Sequence, residues 1–132
     1  MDNIEIPPRE WAAFCARFGD QHHGWLVEVS RLATREAADE GAEATPLMAG
    51  YRPLTGVTTQ TSGGRTAVVV TAGDGDDGVS LVVDDVVALY SRRIGDAHQG
   101  LRIDSADGTT TLVQFRTAAV PDALDGLAES ER

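Results

Sequence analysis

Lysine is missing from this chain altogether: all 11 basic residues are arginines. Against them stand 21 aspartates and glutamates, so the formal charge is −10 and the pI is near 4.5. Nucleic acid is held by cationic surface, and this balance argues against such a partner. Only Arg92 and Arg93 are adjacent, so any larger arginine cluster has to be made by the fold. GC-rich coding bias and an acidic surface adapted to high salt both account for the composition. Net charge bears on solubility, not on fold.

Cysteine occurs once, at Cys15, which excludes an internal disulfide and any multi-thiolate zinc site and agrees with a reducing compartment. No apolar run approaches the roughly 20 residues of a membrane helix. The opening Met1-Asp2-Asn3-Ile4-Glu5 is acidic and lacks the basic and apolar regions of a signal peptide, so a cytoplasmic setting is expected. Aromatics number seven, which leaves the core mainly to Val, Leu, Ile and Ala.

What is present reads as one globular domain over residues 1–132, with its core over about residues 6–120. Trp11, Phe14, Cys15 and Phe18 recur at i, i+3, i+4, i+7, the stripe of an amphipathic helix that begins near Pro7-Pro8 and stops at Gly19. Trp25 to Leu32 alternates as a strand, with Trp25, Val27 and Val29 on one face. Ala33 to Thr45 is an acidic insertion loop without large apolar side chains, and Pro46 to Arg52 reads as a short edge strand. Thr55–Thr61 and Arg65–Ala72 form a hairpin across Ser62-Gly63-Gly64. Val79–Val83 and Val86–Ser91 are two further strands, and the loop Gly95 to Gly100 leads to a last hairpin at Asp107-Gly108. A two-residue turn there puts Leu112 opposite Ile103, with Val113 and Phe115 on the other face. Residues 128–132 are expected to fray. The fold class is α+β, mostly antiparallel β: an N-terminal helix packed on a curved sheet, or on a small SH3-like or Sm-like barrel, of about five to seven strands.

Candidate sites are few. Asp74, Asp76 and Asp77 cluster oxygen ligands on a flexible loop, as a hard cation requires, but Gly78 stands where an EF-hand would place another ligand; a solvated turn explains them as well. Cys15 with His22 or His23 suggests a thiol–histidine pair, yet Cys15 lies on the apolar stripe, where a free cysteine is usually a small hydrophobe. The histidines suit a helix end or loop. Trp25, His23 and Tyr51 are candidates for contact with a partner, although the phase of Trp25 with Val27 and Val29 favours the core. No phosphate-binding loop, catalytic dyad or cofactor motif appears, so no cofactor is expected.

The segments Ile6-Pro7-Pro8-Arg9-Glu10-Trp11 with Phe14 and Phe18, His23-Gly24-Trp25-Leu26-Val27, and Ser105 to Phe115 resemble an uncharacterised bacterial family, a domain of unknown function found as short single-domain proteins. The resemblance covers most of the chain and is anchored at its two ends, with Ala33 to Thr45 as extra length. The matching residues are aromatics, glycines and turn formers, so it implies a shared fold and no activity. The expectation is a non-enzymatic interaction or accessory module, self-associating or bound to a protein partner. The alternatives are a small-ligand-binding barrel, a small enzyme whose site assembles only in the fold, or weak divalent-cation binding at Asp74 to Asp77.

Overall fold

The computed structural model describes residues 2–36, 43–48, 50–73, 78–94 and 97–119. Among them lie nine strands: β1 (Asp2–Glu5), β2 (Leu26–Ala33), β3 (Thr45–Pro46), β4 (Arg52–Ser62), β5 (Arg65–Ala72), β6 (Val79–Val83), β7 (Val86–Ile94), β8 (Ala97–Ser105) and β9 (Thr109–Ala119). One helix, α1 (Trp11–Gln21), follows a 3-10 turn at Pro8–Glu10. The strands form a single sheet in the order β1-β7-β8-β9-β2-β4-β5-β6, with β3 beside β2 and every pairing antiparallel. The α+β expectation therefore holds, with more strands than the five to seven expected. β1 has no counterpart in the sequence reading, and the two-residue β3 is what remains of the edge strand read from Pro46.

The sheet is curled. β4 starts beside β2 and then, across a bulge between Leu54 and Gly56, runs beside β5. This change of neighbour lets Val68, Val70 and Ala72 of β5 and Val83 of β6 join Val29, Leu89, Leu101, Ile103 and Val113 in one core. Helix α1 lies against β4 and closes that core with Trp11, Cys15 and Phe18, while Phe14 packs from its margin. Each large apolar side chain so buried contributes about 1.5–3 kcal/mol. The curl does not close into the barrel considered from the sequence. Among the described residues, β1 and β6 are open edges.

Five sequence expectations need correction. The loop read over Ala33 to Thr45 is shorter at both ends, since Ala33 closes β2, Thr34–Glu36 forms a 3-10 turn and Thr45 opens β3. Gly19 does not end the helix, which continues to Gln21. It is buried where α1 crosses β4, and a Cβ there would sit 2.8 Å from the Val57 backbone nitrogen. Pro46 to Arg52 is not one strand, since pairing stops after Pro46 and resumes at Arg52. The Gly95 to Gly100 loop is shorter than expected, because β8 already begins at Ala97.

The fifth correction concerns register. Asp104 pairs with Thr110 and Ile103 with Thr111, which leaves a three-residue loop, Ala106-Asp107-Gly108. Gly108 has φ +88°, and its N–H donates to the Ser105 carbonyl, as in a type I turn followed by a left-handed glycine. A one-residue slip exchanges faces. Val113 and Phe115 therefore join Leu101 and Ile103 on the core face, and Leu112 lies on the other face opposite Arg102. Leu112 is buried even so, and β9 lies between β8 and β2, the interior position expected of a strand apolar on both faces. By contrast, the Gly63-Gly64 turn is as read. Both glycines have positive φ, and Ser62 pairs with Arg65.

Candidate functional site

The face of the sheet turned away from the main core carries a buried polar network. Side chains two apart on a strand share a face, so Arg102 and Asp104 of β8 stand side by side. Arg102 Nε donates to Asp104 Oδ1 at 2.9 Å and Nη2 to Oδ2 at 3.1 Å, with only 16% and 10% of the two side chains exposed. Thr110, fully buried on β9, lies 2.8 Å from Asp104 Oδ1 and 2.9 Å from the Thr34 hydroxyl. An ionised carboxylate only accepts and each hydroxyl has one proton, so Thr34 donates to Thr110 and Thr110 donates to Asp104. Tyr90, opposite Arg102 on β7, places its ring 5.1 Å beneath the guanidinium. Arg92, on the same strand, is held below its ordinary pKa by burial and by the charge of Arg102. The Asp104 carboxylate thus accepts three hydrogen bonds, two from Arg102 and one from Thr110, and anchors both strands. Together with Thr34 N–H donating to the Gly108 carbonyl at 2.8 Å, the network fastens the segment after β2 to the β8–β9 hairpin.

A second cluster is aromatic. His22 caps α1, and its Nδ1 lies 2.8 Å from the Phe18 carbonyl. A carbonyl oxygen only accepts, so at that distance Nδ1 carries the proton and donates beside the His22 backbone N–H, which reaches the same oxygen at 3.1 Å. The imidazole is buried among Phe18, Trp25 and Phe115, with centroids at 4.5, 4.5 and 4.8 Å. Trp25 meets Phe115 edge-on at 5.1 Å and is partly buried, which agrees with the core reading of its phase. His22 thus sits at the helix end, as read, but buried, whereas His23 is exposed. Tyr51 is 46% exposed just before β4. Of the three contact candidates, His23 and Tyr51 remain on the surface while Trp25 is drawn into the aromatic cluster. Cys15 is fully buried and its thiol is pushed up to about 11 by burial, the opposite of what a nucleophile needs. Asp74, Asp76 and Asp77 lie outside the described residues.

The third feature is the edge at β6. Sheet edges expose unpaired N–H and C=O groups, and proteins blunt them with charge, proline or brevity. β1 has two acids among its four residues, and β3 has two residues, one of them Pro46. β6, Val-Ser-Leu-Val-Val, has neither charge nor proline. Its Val82 is 50% exposed beside Val69 on the outer face of the sheet. An open groove of about 410 Å³ adjoins the end of β6, lined by Gln60, Ser62, Arg65, Thr66, Ala67, Asp84 and Asp85. Arg65 reaches Asp85 at 3.6 Å across solvent, a geometry that contributes little energy.

Comparison of the chain with protein-family profiles, with curated proteins and with solved structures returns no match. Among the described residues no helix is long and apolar enough to cross a membrane. The polar network escaped the sequence reading, although an arginine and an aspartate two apart inside an alternating strand, Leu101-Arg102-Ile103-Asp104, is a usable signal for it. The burial of His22 had a weaker one, its i+4 spacing from Phe18.

Proposed function

We propose that this chain is a non-enzymatic interaction module that takes an extended segment of a protein partner onto β6 by strand addition. The observation that carries the reading is the contrast among the sheet's edges: β6 alone of β1, β3 and β6 lacks charge, proline and extreme shortness. Strand addition satisfies the edge's backbone groups, and side chains pointing to alternate faces supply selectivity. The acidic balance directs the module to proteins rather than to polyanions.

The test uses the full chain and a fluorescein-labelled Thr-Val-Thr-Val-Thr peptide, followed by anisotropy and by hydrogen exchange of the β6 amides. Binding should slow exchange in β6, and Val82→Lys, a change at a half-exposed position that leaves the core intact, should abolish it. If the peptide leaves β6 exchange unchanged, the reading is wrong.

A further inference from the structure

The sheet register specifies what the partner strand should carry. On the outer face, Thr58, Val69 and Val82 form one row across β4, β5 and β6. Gln60 pairs with Ala67, and the β5–β6 register continued one residue past Val68 and Val83 brings Asp84 into that next row. A strand added beyond β6 therefore puts one side chain beside Val82 and another, two residues away on the same face, beside Asp84. The first position is apolar. The second opens on the groove, where Asp84, the Gln60 amide and the Ser62 and Thr66 hydroxyls offer acceptors. A guanidinium brings five donors and no acceptor, and so matches those groups, while the groove's own Arg65 is engaged by Asp85 at 3.6 Å and leaves Asp84 to the incoming side chain.

We propose that β6 selects an antiparallel partner segment in which a basic residue, foremost arginine, stands two positions before an apolar one, the basic side chain seated against Asp84 in the groove. This rests on the strand-addition reading above and names the chemistry of its partner. The direction follows from antiparallel pairing: β6 runs toward Asp84, so the partner starts there and meets Asp84 before Val82. Charge decides against a second copy of this chain as the occupant. Its net charge is −10, and an antiparallel copy centred on Leu81 would bring like-charged surfaces together without a basic residue to place at Asp84. Such pairing would strengthen with salt, whereas a basic segment weakens with it.

The experiment compares three labelled peptides on the full chain: Arg-Thr-Val-Thr-Val, its reverse Val-Thr-Val-Thr-Arg, and Glu-Thr-Val-Thr-Val. The first should bind most tightly and weaken as salt rises, and Asp84→Asn should cost it roughly two- to five-fold, the range of an exposed ion pair. The Glu peptide should be indifferent to, or gain from, Asp84→Asn. Equal binding of all three peptides, all blocked by Val82→Lys, would overturn the basic-residue proposal and leave strand addition standing. Binding untouched by Val82→Lys would overturn both. A molecular mass that doubles as salt rises, measured by light scattering without peptide, would make a second copy the occupant and overturn the proposal.

Discussion

Replacing Asp104 by alanine removes the acceptor around which the polar network is built. The Arg102 guanidinium, with its side chain only 16% exposed, then loses both charge-assisted hydrogen bonds, and the Thr34–Thr110 chain loses its terminus. Breaking a buried ion pair by deleting one partner costs about 3–5 kcal/mol. The Tyr90 ring stays in place beneath Arg102 and the remaining exposure admits some water, so the lower end applies, about 3 kcal/mol. For a chain of this size each kcal/mol lowers the melting temperature by about 3–5 °C, so Asp104→Ala should melt about 10–15 °C below the parent. Calorimetry with chemical denaturation gives the single costs, and a cycle with Arg102→Met and the double change Arg102→Met/Asp104→Ala isolates the pair. The double variant should be more stable than the sum of the single losses allows, because it buries no orphaned charge. If Asp104→Ala costs less than about 1 kcal/mol, or the two single losses add within about 0.5 kcal/mol, the network does not hold the hairpin as argued.

Two other perturbations follow from local geometry. Gly19→Ala gains about 1 kcal/mol in helix propensity. It also drives a methyl against the β4 backbone, 2.8 Å from Val57 N, where overpacking costs about 3 kcal/mol; a net loss of about 2 kcal/mol should appear as a lower urea midpoint with unchanged slope. Asp107 accepts from the Thr109 hydroxyl at 2.6 Å and from its N–H at 3.0 Å, and these bonds hold its carboxyl below the usual aspartate value. A folded pKa below the unfolded one means that the contribution is present above the unfolded pKa and fades as pH falls through the folded one. Asp107→Asn should therefore narrow the stability difference between neutral pH and about pH 3, and the carboxyl should titrate by NMR below a free aspartate.

The parts of the fold legible in the sequence are those governed by local rules. The α1 stripe at Trp11, Phe14, Cys15 and Phe18 and the Gly63-Gly64 turn each depend on residues within a few positions of one another. The register of the last hairpin does not. Both a two-residue and a three-residue loop accept Asp107-Gly108, and what decides is whether Ser105 stays in the ladder facing Thr109, a matter settled by burying Val113 beside Leu101. β1 was hidden because Asp-Asn-Ile-Glu has no alternation of its own, and it is a strand only because β7 offers it an edge. Gly19 looked like a stop because a glycine that permits close approach and one that ends a helix are identical in sequence. Of the candidate site, the apolar run Val79–Val83 was visible as a strand. Its place at an open edge was not, since strand order is a global property.

The sheet order has a consequence in time. Val27 pairs with Phe115 and Asn3 with Arg92, while β4, β5 and β6 pair mainly with their sequence neighbours. At synthesis rates of about 5–20 residues per second, β2 waits about 4–18 seconds between its own emergence and that of its partner β9. The local meander is complete well before then, and pairings this distant in sequence make for slow folding. The residues of β4, β5 and β6 are therefore all synthesised before the strands that cover their apolar face, so Val68, Val70 and Val83 wait for Leu89, Leu101, Ile103 and Val113 to complete the core.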